Sequence, residues 1–553
     1  MSPPEGYELS IYGSVSIAFW ISTAIAFSLF SLGLYRAACD HRNLQIGLHL
    51  SGLTIANLVL VALPLMRYRT YYTEWDVWFH LGQTANITLT GHIDLTTNVY
   101  PGLHILWSAI SNLTGISVFD TGILLGLPLE GIRVPLLFLL TRRASKSAQV
   151  AALAASLAAL PDGIVGTFPA AWYFALALLP LVVLLLLLRL QVPSFGSTML
   201  VLVTAGAFVI SHPLGPLFLI AAVVIQVFWS ARAVLRRARV AAPPEGLRRK
   251  QRALLGLTAL ISILFLTWIA LLTAVLEVSV GKIADAFASA GVINPAQYGK
   301  FLTFTLVGRV FGGYAIIGAY WLAGLLVLHR ARPTQEGTGM YMAAALTLSG
   351  LLLGVVFELV ASQSFLGDFF QRPFDVVMLF VPVIAATFLQ EVHNRLSRRT
   401  WGNLAMAAAY LIPFALIVAA MFPSPYVALY NYQNTQEVYS AVGWTAASLP
   451  AKSTVLSNSY VGRYAYYGLH AIGPQYADLY HSLDNLPSND SEMAALVGTG
   501  TYVILDQETI LVAGANLRDW SFPGPSDVVT FRGMVGIATI YDNGETQVYL
   551  AQS

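Results

Sequence analysis

Long apolar runs alternate with short polar loops over the first 420 or so residues of the chain. A helix needs roughly 20 mainly apolar residues to cross the hydrocarbon core of a bilayer. By this criterion the pattern predicts about twelve spans, at 11–35, 44–66, 118–141, 147–161, 167–190, 198–211, 214–231, 253–276, 310–329, 340–361, 373–391 and 402–421. Residues 1–422 are therefore predicted to form a polytopic α-helical membrane domain.

The pattern changes after residue 422, where polar residues become frequent. Short runs of alternating character predict strands at 453–456, 502–505, 528–531, 536–541 and 547–550, and 437–448 and 491–497 look helical. Asp542, Asn543 and Gly544 form a hairpin signal between the last two strands. We expect residues 423–553 to form an α/β domain that is large enough for its own core.

Composition supports a membrane protein. Hydrophobic residues make up 56% of the 553 residues and charged residues only 10%, whereas soluble proteins average about 25% charged residues. The net charge of +2 argues neither for nor against nucleic-acid binding, and no nucleic-acid partner is expected. The single cysteine, Cys39, excludes an intrachain disulfide and a cysteine-based metal cluster.

Basic residues predict the orientation of the chain. Most of the 30 Lys and Arg residues lie in one alternate set of loops, including the cluster at 232–252. Cytoplasmic loops carry the excess of Lys and Arg, so this set is predicted to face the cytoplasm. Both termini, the loop 67–117 and the region 423–553 then lie on the extracytoplasmic side of the cell membrane.

The stretch 71–82 in the outer loop 67–117 concentrates candidate chemistry. Glu74, Asp76 and His80 stand there among tyrosines, tryptophans and a phenylalanine. If the stretch is helical, Asp76 and His80 are four residues apart and share a face. An acid and an imidazole on one face can serve acid/base chemistry or bind a cation or a phosphate. The alternative is an interfacial aromatic belt with a few solvated charges.

Two further features are expected around this loop. Residues 100–115 read as a helix, with Pro101 suited to the first turn and Gly115 to the C-terminal stop. It is short for a span, so we expect it to lie along the outer membrane surface. The third predicted span holds Glu130 and Arg133, three residues apart, which either neutralise each other or line a cavity.

The layout resembles the GT-C superfamily of integral-membrane glycosyltransferases, which use sugars linked to polyprenyl phosphates. The likeness covers most of the chain in layout, but only about 40 residues in motif. Glu74, Trp75 and Asp76 followed by His80, then Gly91 and His92, then the Tyr100–His104 segment are similar to the first outer loop of many members. Residues 370–373, with Gln371 and Arg372, look like the place where members set a basic residue against the donor phosphate.

The resemblance implies a chemistry. A polyprenyl-phosphate sugar carries a phosphate leaving group, so transfer needs a base for the acceptor hydroxyl and positive charge at the phosphate. Asp76 is the candidate base of a single-step inverting displacement, with Glu74 and His80 assisting. Arg372 and Gln371 are the candidate phosphate ligands. Asp162, His104 and His212 are candidates for the acceptor or substrate.

Purely structural roles remain alternatives for these residues. Asp76 can be a solvated loop acid, and Arg372 an anchor to lipid head groups. His80 can be a structural hydrogen-bonder, and His104 and His212 can be packing or capping residues.

The chain also departs from the family pattern. It lacks the Trp-Trp-Asp motif of oligosaccharyltransferase catalytic subunits. Members hold a divalent metal with a second acidic motif in the second outer loop, where this chain offers only Asp162. We therefore assign no metal ligand and no cofactor, and a divalent metal stays a possibility.

Three functions remain at this stage. The first is a membrane glycosyltransferase with a polyprenyl-phosphate-linked sugar donor, surrounding membrane lipid, and a glycan, lipid or protein acceptor. The second is a transporter or flippase of a lipid-linked or small solute, whose midplane candidate is the Glu130/Arg133 pair. The third is a non-catalytic membrane scaffold whose outer domain binds a partner.

Overall fold

The structure is a computed structural model of the 553-residue chain. It describes residues 8, 10–68, 76–95, 98–160, 171–192, 194–238, 245–272, 304–330, 338–360, 366–396, 402–422, 424, 435–450, 455–457, 480–482, 502–506, 525–534, 536–544 and 546–551.

Helices dominate up to residue 420. They are α1 Ile11–Ser14, α2 Ile17–Cys39, α3 Asn43–Val61, α4 Leu63–Tyr68, α5 Asp76–Thr90, α6 Gly102–Thr114, α7 Val118–Ser145, α8 Ala148–Ala158, α9 Ala171–Gln191, α10 Phe195–Ser211, α11 Leu214–Ala238, α12 Glu245–Thr267, α13 Phe304–Arg330, α14 Thr338–Val360, α15 Leu366–Leu396 and α16 Gly402–Ala420. A five-residue π-helical turn, Trp268–Leu272, continues α12.

Among the described residues, six helices are long and apolar enough to cross a membrane: Ile17–Cys39, Asn43–Val61, Val118–Ser145, Ala171–Leu190, Phe311–Arg330 and Arg372–Leu396. Six shorter apolar helices accompany them: Ala148–Ala158, Phe195–Ser211, Leu214–Phe228, Thr258–Ala270, Gly339–Val355 and Ala407–Ala420. The chain is thus a multi-pass membrane protein. Each predicted span overlaps one of these helices, and the count of twelve crossings stays a prediction.

Helix α15 forms the centre of the helical part. It packs against α8, α13 and α14, and 72% of its most apolar stretch, within Arg372–Leu396, is buried inside the protein. Small residues permit this closeness, as usual between membrane helices. A Cβ added at Gly324 of α13 would collide with the backbone carbonyl of Ile384 in α15.

The outer loop folds into the helices α5 and α6. The helix predicted at 100–115 is confirmed as α6, with Pro101 as its N-cap rather than inside its first turn. Gly115 ends it in the left-handed conformation, with φ of 69°, which glycine adopts without a steric penalty. Trp107 is fully buried and donates its indole N–H to the carbonyl of Val118, 2.6 Å away, at the start of α7.

The C-terminal region contains α17 Gln436–Ser448, β1 Val455–Ser457, β2 Tyr480–Ser482, β3 Tyr502–Asp506, α18 Pro525–Arg532, β4 Ile537–Asp542 and β5 Thr546–Ala551. The described strands form one sheet in the order β2-β1-β3-β5-β4. Strands β1, β2 and β3 are parallel, and β5 pairs antiparallel with β3 and β4. The hairpin predicted at residues 542–544 joins β4 to β5, and β2 was not predicted.

One predicted strand is wrong. Residues 528–531 belong to helix α18, not to a strand. Val528 and Phe531 are buried, whereas Val529 is 69% exposed. A strand would bury alternate residues, but a helix buries residues three apart on one face. The segment was ambiguous because a short apolar run fits both periods. The helix predicted at 491–497 lies outside the described residues.

Candidate functional site

A buried polar cluster lies where six parts of the helical region meet. It contains His80 of α5, Asn98 of the α5–α6 connection, His104 of α6, Trp172 of α9, His212 after α10, and Arg372 and Asp375 of α15. His80, Asn98, His104 and His212 are each at most 3% exposed. Buried polar groups are costly unless they are hydrogen-bonded, so the partners of these side chains define the site.

Helix α5 holds His80 rigidly. The helix begins at Asp76, so the condition for Asp76 and His80 to share a helical face is met. The hydroxyl of Thr88 donates to Ser108 of α6, 2.9 Å away. This bond and the histidine contact described next fix α5 against α6.

His80 and His104 form a direct pair. Nδ1 of His80 lies 2.7 Å from Nε2 of His104, and Nδ1 of His104 lies 2.8 Å from Oδ1 of Asn98. On the other side, the backbone N–H of Ala171 donates to Nε2 of His80 over 3.3 Å. Both imidazoles are therefore hydrogen-bonded through each of their ring nitrogens.

Both histidines of this pair are neutral at pH 7. Burial, together with the positive charge of Arg372, lowers the pKa of His80 to about 3. Burial and the neighbouring His80 lower the pKa of His104 well below its usual value. A buried imidazole without a counter-charge gives up its proton because the charged form is poorly solvated.

Arg372 meets His212 at the start of the span in α15. Its Nη1 lies 3.3 Å from Nε2 of His212. His212 is also the C-cap residue of α10, and its Nδ1 lies 3.3 Å from the backbone N–H of Leu214. Burial, followed by Arg372 and His80, lowers the pKa of His212. A neutral His212 has one acceptor nitrogen, so it can accept a hydrogen bond either from Leu214 or from the guanidinium, but not from both.

Trp172 connects these two halves of the cluster. It follows Ala171, and its indole N–H donates to Oδ2 of Asp375 over 2.8 Å. Its ring packs edge-on against His212, with centroids 5.1 Å apart. The indole thus contacts both His212, which lies against Arg372, and Asp375, which lies one helical turn beyond Arg372.

The structure brings together four of the predicted site residues: His80, His104, His212 and Arg372. Asp76 lies on the same helix as His80, but its side chain and that of Gln371 are outside the described residues, as are Glu74 and Asp162. The described part of the chain contains no group of three side chains able to hold a metal ion.

Three members of the cluster were missed from the sequence: Asn98, Trp172 and Asp375. An amide and an indole carry no distinctive sequence signal, because both are common as packing residues. Asp375 did carry one, since a charge one turn from Arg372 in an apolar helix is unusual.

A charged pair also lies within the membrane helix α7. Arg133 and Glu130 form an ion pair of 2.5 Å on α7, with both side chains largely buried. Of the two roles left open for these residues, the structure shows the mutual ion pair.

Comparisons with known proteins give a consistent but distant likeness. No protein-family model and no curated protein matches the chain. The oligosaccharyltransferase of Archaeoglobus fulgidus, solved with zinc and sulfate, has 14% identity and a TM-score of 0.49, covering 91% of this chain and 73% of its own. ArnT from Cupriavidus metallidurans bound to undecaprenyl phosphate has 12% identity and a TM-score of 0.49, covering 91% and 97%.

The arabinofuranosyltransferase AftD from Mycobacteria has 14% identity and a TM-score of 0.45, covering 91% of this chain and 41% of its own. Because the overlaps have TM-scores below 0.5, the function has to be argued from the site itself.

Proposed function

We propose that this protein is a membrane glycosyltransferase of the GT-C type that moves a sugar from a polyprenyl-phosphate-linked donor to an acceptor hydroxyl. The observation that carries the proposal is the placement of Arg372 against His212, in a cluster with the neutral pair His80 and His104. The site lies at the ends of membrane helices, where the phosphate of a lipid carrier would lie. The acceptor is a glycan, a lipid or a protein.

Arg372 suits a phosphate leaving group. A guanidinium has five N–H donors, and it binds two phosphate oxygens in a bidentate geometry that it favours. The histidines around it carry no charge at pH 7, so they neither repel the cation nor compete for the anion. The donor phosphate is therefore stabilised mainly by Arg372, with Gln371 as its neighbour in the chain.

Asp76 is the proposed base of an inverting displacement. It opens α5, one helical turn before His80. A carboxylate at this position can act as a general base that takes the proton of the acceptor hydroxyl. Glu74, Asp162, His104 and His212 remain proposed contacts of the acceptor or of the base.

The proposal includes a topology. Twelve spans would place both termini and residues 423–553 on the extracytoplasmic side, and the α5–α6 loop would face the same side. Transport, the alternative, would need a polar site at the midplane of the membrane. The charges of Glu130 and Arg133 neutralise each other on α7, which disfavours that role.

Donor binding tests the proposal. Native mass spectrometry of detergent-purified protein with polyprenyl-phosphate monosaccharides should show binding by the wild type. Arg372→Gln should weaken it by about 10- to 100-fold, the value of one or two charge-assisted hydrogen bonds. Arg395→Gln is the matched control, because Arg395 lies exposed at the far end of the same helix. Binding that is equal in the wild type and Arg372→Gln would remove Arg372 from the site, and no binding by any variant would contradict the proposal.

A further inference from the structure

A continuous hydrogen-bonded chain links Asn98 to the first residue of α9. It runs from Oδ1 of Asn98 to His104 over 2.8 Å, from His104 to His80 over 2.7 Å, and from His80 to the backbone N–H of Ala171 over 3.3 Å. The members come from four parts of the chain. Each is buried, so the hydrogen bonds are shielded from competition by water.

The direction of every hydrogen in this chain follows from the backbone amide. The N–H of Ala171 can only donate, so Nε2 of a neutral His80 accepts and its proton sits on Nδ1. His80 then donates to Nε2 of His104, whose own proton must also sit on Nδ1. That proton is donated to the other end of the chain, which must be an acceptor. Only the carbonyl oxygen of Asn98 satisfies this requirement.

The backbone around Asn98 is itself held in place. Asn98 is 1% exposed, and its backbone N–H donates to the carbonyl of Asp94 over 2.8 Å. Trp268, in the π-helical turn after α12, donates its indole N–H to the carbonyl of Val99, 3.0 Å away. The connection between α5 and α6 is thus fixed on both sides of the amide.

The other end of the chain leads to the proposed phosphate ligand. Ala171 is followed by Trp172, which bonds Asp375 and packs against His212. His212 contacts Arg372. An imidazole turned to the other tautomer would point an N–H at the N–H of Ala171, and this repulsion would displace the start of α9 and the indole beside it.

We infer that Asn98 is a positioning residue: it holds His104 and His80 in their Nδ1–H tautomers, anchors the start of α9, and so sets Trp172, His212 and Arg372 for the donor phosphate. Its effect on donor binding rests on the proposed function, whereas its effect on the tautomers does not. A carboxylate at the same position accepts the same hydrogen bond, as acidic residues do for catalytic histidines.

Imidazole nitrogen chemical shifts test the tautomers directly. In ¹⁵N-histidine-labelled protein at pH 8, signals assigned with His80→Gln and His104→Gln should show both residues as Nδ1–H. Asn98→Leu should lose this state for His104, and Asn98→Asp should keep it. Asn112→Leu is the control, because Asn112 is an exposed asparagine of α6. An Nε2–H tautomer at either histidine of the wild type overturns the inference, whatever the variants do.

Donor affinity provides the second measurement. Asn98→Leu should weaken binding of a polyprenyl-phosphate monosaccharide by about tenfold, the value of one buried hydrogen bond. Asn98→Asp and Asn112→Leu should stay close to the wild type. Unchanged affinity in a folded Asn98→Leu protein overturns the positioning role. If the wild type binds no donor, the proposed function fails, and the tautomers alone then decide whether Asn98 orients the histidines.

Discussion

At the scale of single residues, the site is a set of neutral histidines around one arginine. Burial is the main reason that His80, His104 and His212 lose their protons, and Arg372 adds to it at His80 and His212. In the unfolded chain the same side chains titrate near their ordinary pKa of about 6.5. The difference between the two states makes the folding stability depend on pH.

The sign of this dependence is fixed by the lowered pKa values. Below about pH 6.5 the histidines of the unfolded chain bind protons, whereas the same histidines in the folded protein stay neutral. The contribution to stability is therefore complete above this pH and is lost as the pH falls, for His80 down to its pKa of about 3. His80 should cost about 2 kcal/mol at pH 5, and His104 and His212 lower the stability in the same direction. Thermal unfolding of the purified protein at pH 7.5, 6 and 5 measures the loss.

Two variants separate the buried histidines from the others. His104→Gln should flatten the fall in stability between pH 7 and 5, whereas the exposed His92→Gln should leave it unchanged. Stability that is constant over this range in the wild type would show that the three imidazoles are not buried as described.

At the same scale, the sequence identified several residues of the site but did not predict which of them contact one another. His80 was singled out from the outer-loop stretch 71–82, and His104, His212 and Arg372 became candidates with the family resemblance. His212 and Arg372, however, lie 160 residues apart. Only the packing of α10 against its neighbours and the position of α15 bring them together. Asn98 and Trp172 were missed because their role comes from hydrogen-bond partners that are distant in sequence.

At the scale of elements, α13 packs closely against α15, the helix that carries Arg372. Gly324 of α13 lies against the backbone of Ile384, and any larger residue must push the two helices apart. Gly318 lies on the same helix, but an added Cβ there would contact nothing. The two glycines therefore form a matched pair.

Gly324→Ala should destabilise the protein by about 1–3 kcal/mol, the range for overpacking a core. Gly318→Ala should be neutral or slightly stabilising, since alanine favours a helix more than glycine does. Unfolding in a detergent titration measures both. Equal stability of the two variants would contradict the close contact between α13 and α15.

Helices were easier to predict than strands. Spans stand out because they need long apolar runs, and every predicted run overlaps an observed helix. The short apolar run at 528–531 carries no such length signal, and it folds as a helix with Val528 and Phe531 inward. Strand β2, which has three residues, was not predicted.

At the scale of the whole molecule, a multi-pass helical region contains the buried polar site, and the described part of residues 423–553 contains a mixed sheet. The proposed orientation puts the α5–α6 loop, Arg372 and the sheet on one side of the membrane. A lipid-linked donor would reach Arg372 from the bilayer, and an acceptor would approach from outside.

The central claim is that Asp76 takes the proton of an acceptor while Arg372 holds the donor phosphate. The most direct measurement is the release of polyprenyl phosphate from a labelled polyprenyl-phosphate sugar, with membranes of the source cell as acceptor. The wild type and the exposed control Asp120→Asn should release it. Asp76→Asn should bind donor normally but slow release by at least about 100-fold, the order expected for loss of a general base. Full release by a folded Asp76→Asn protein would contradict the account.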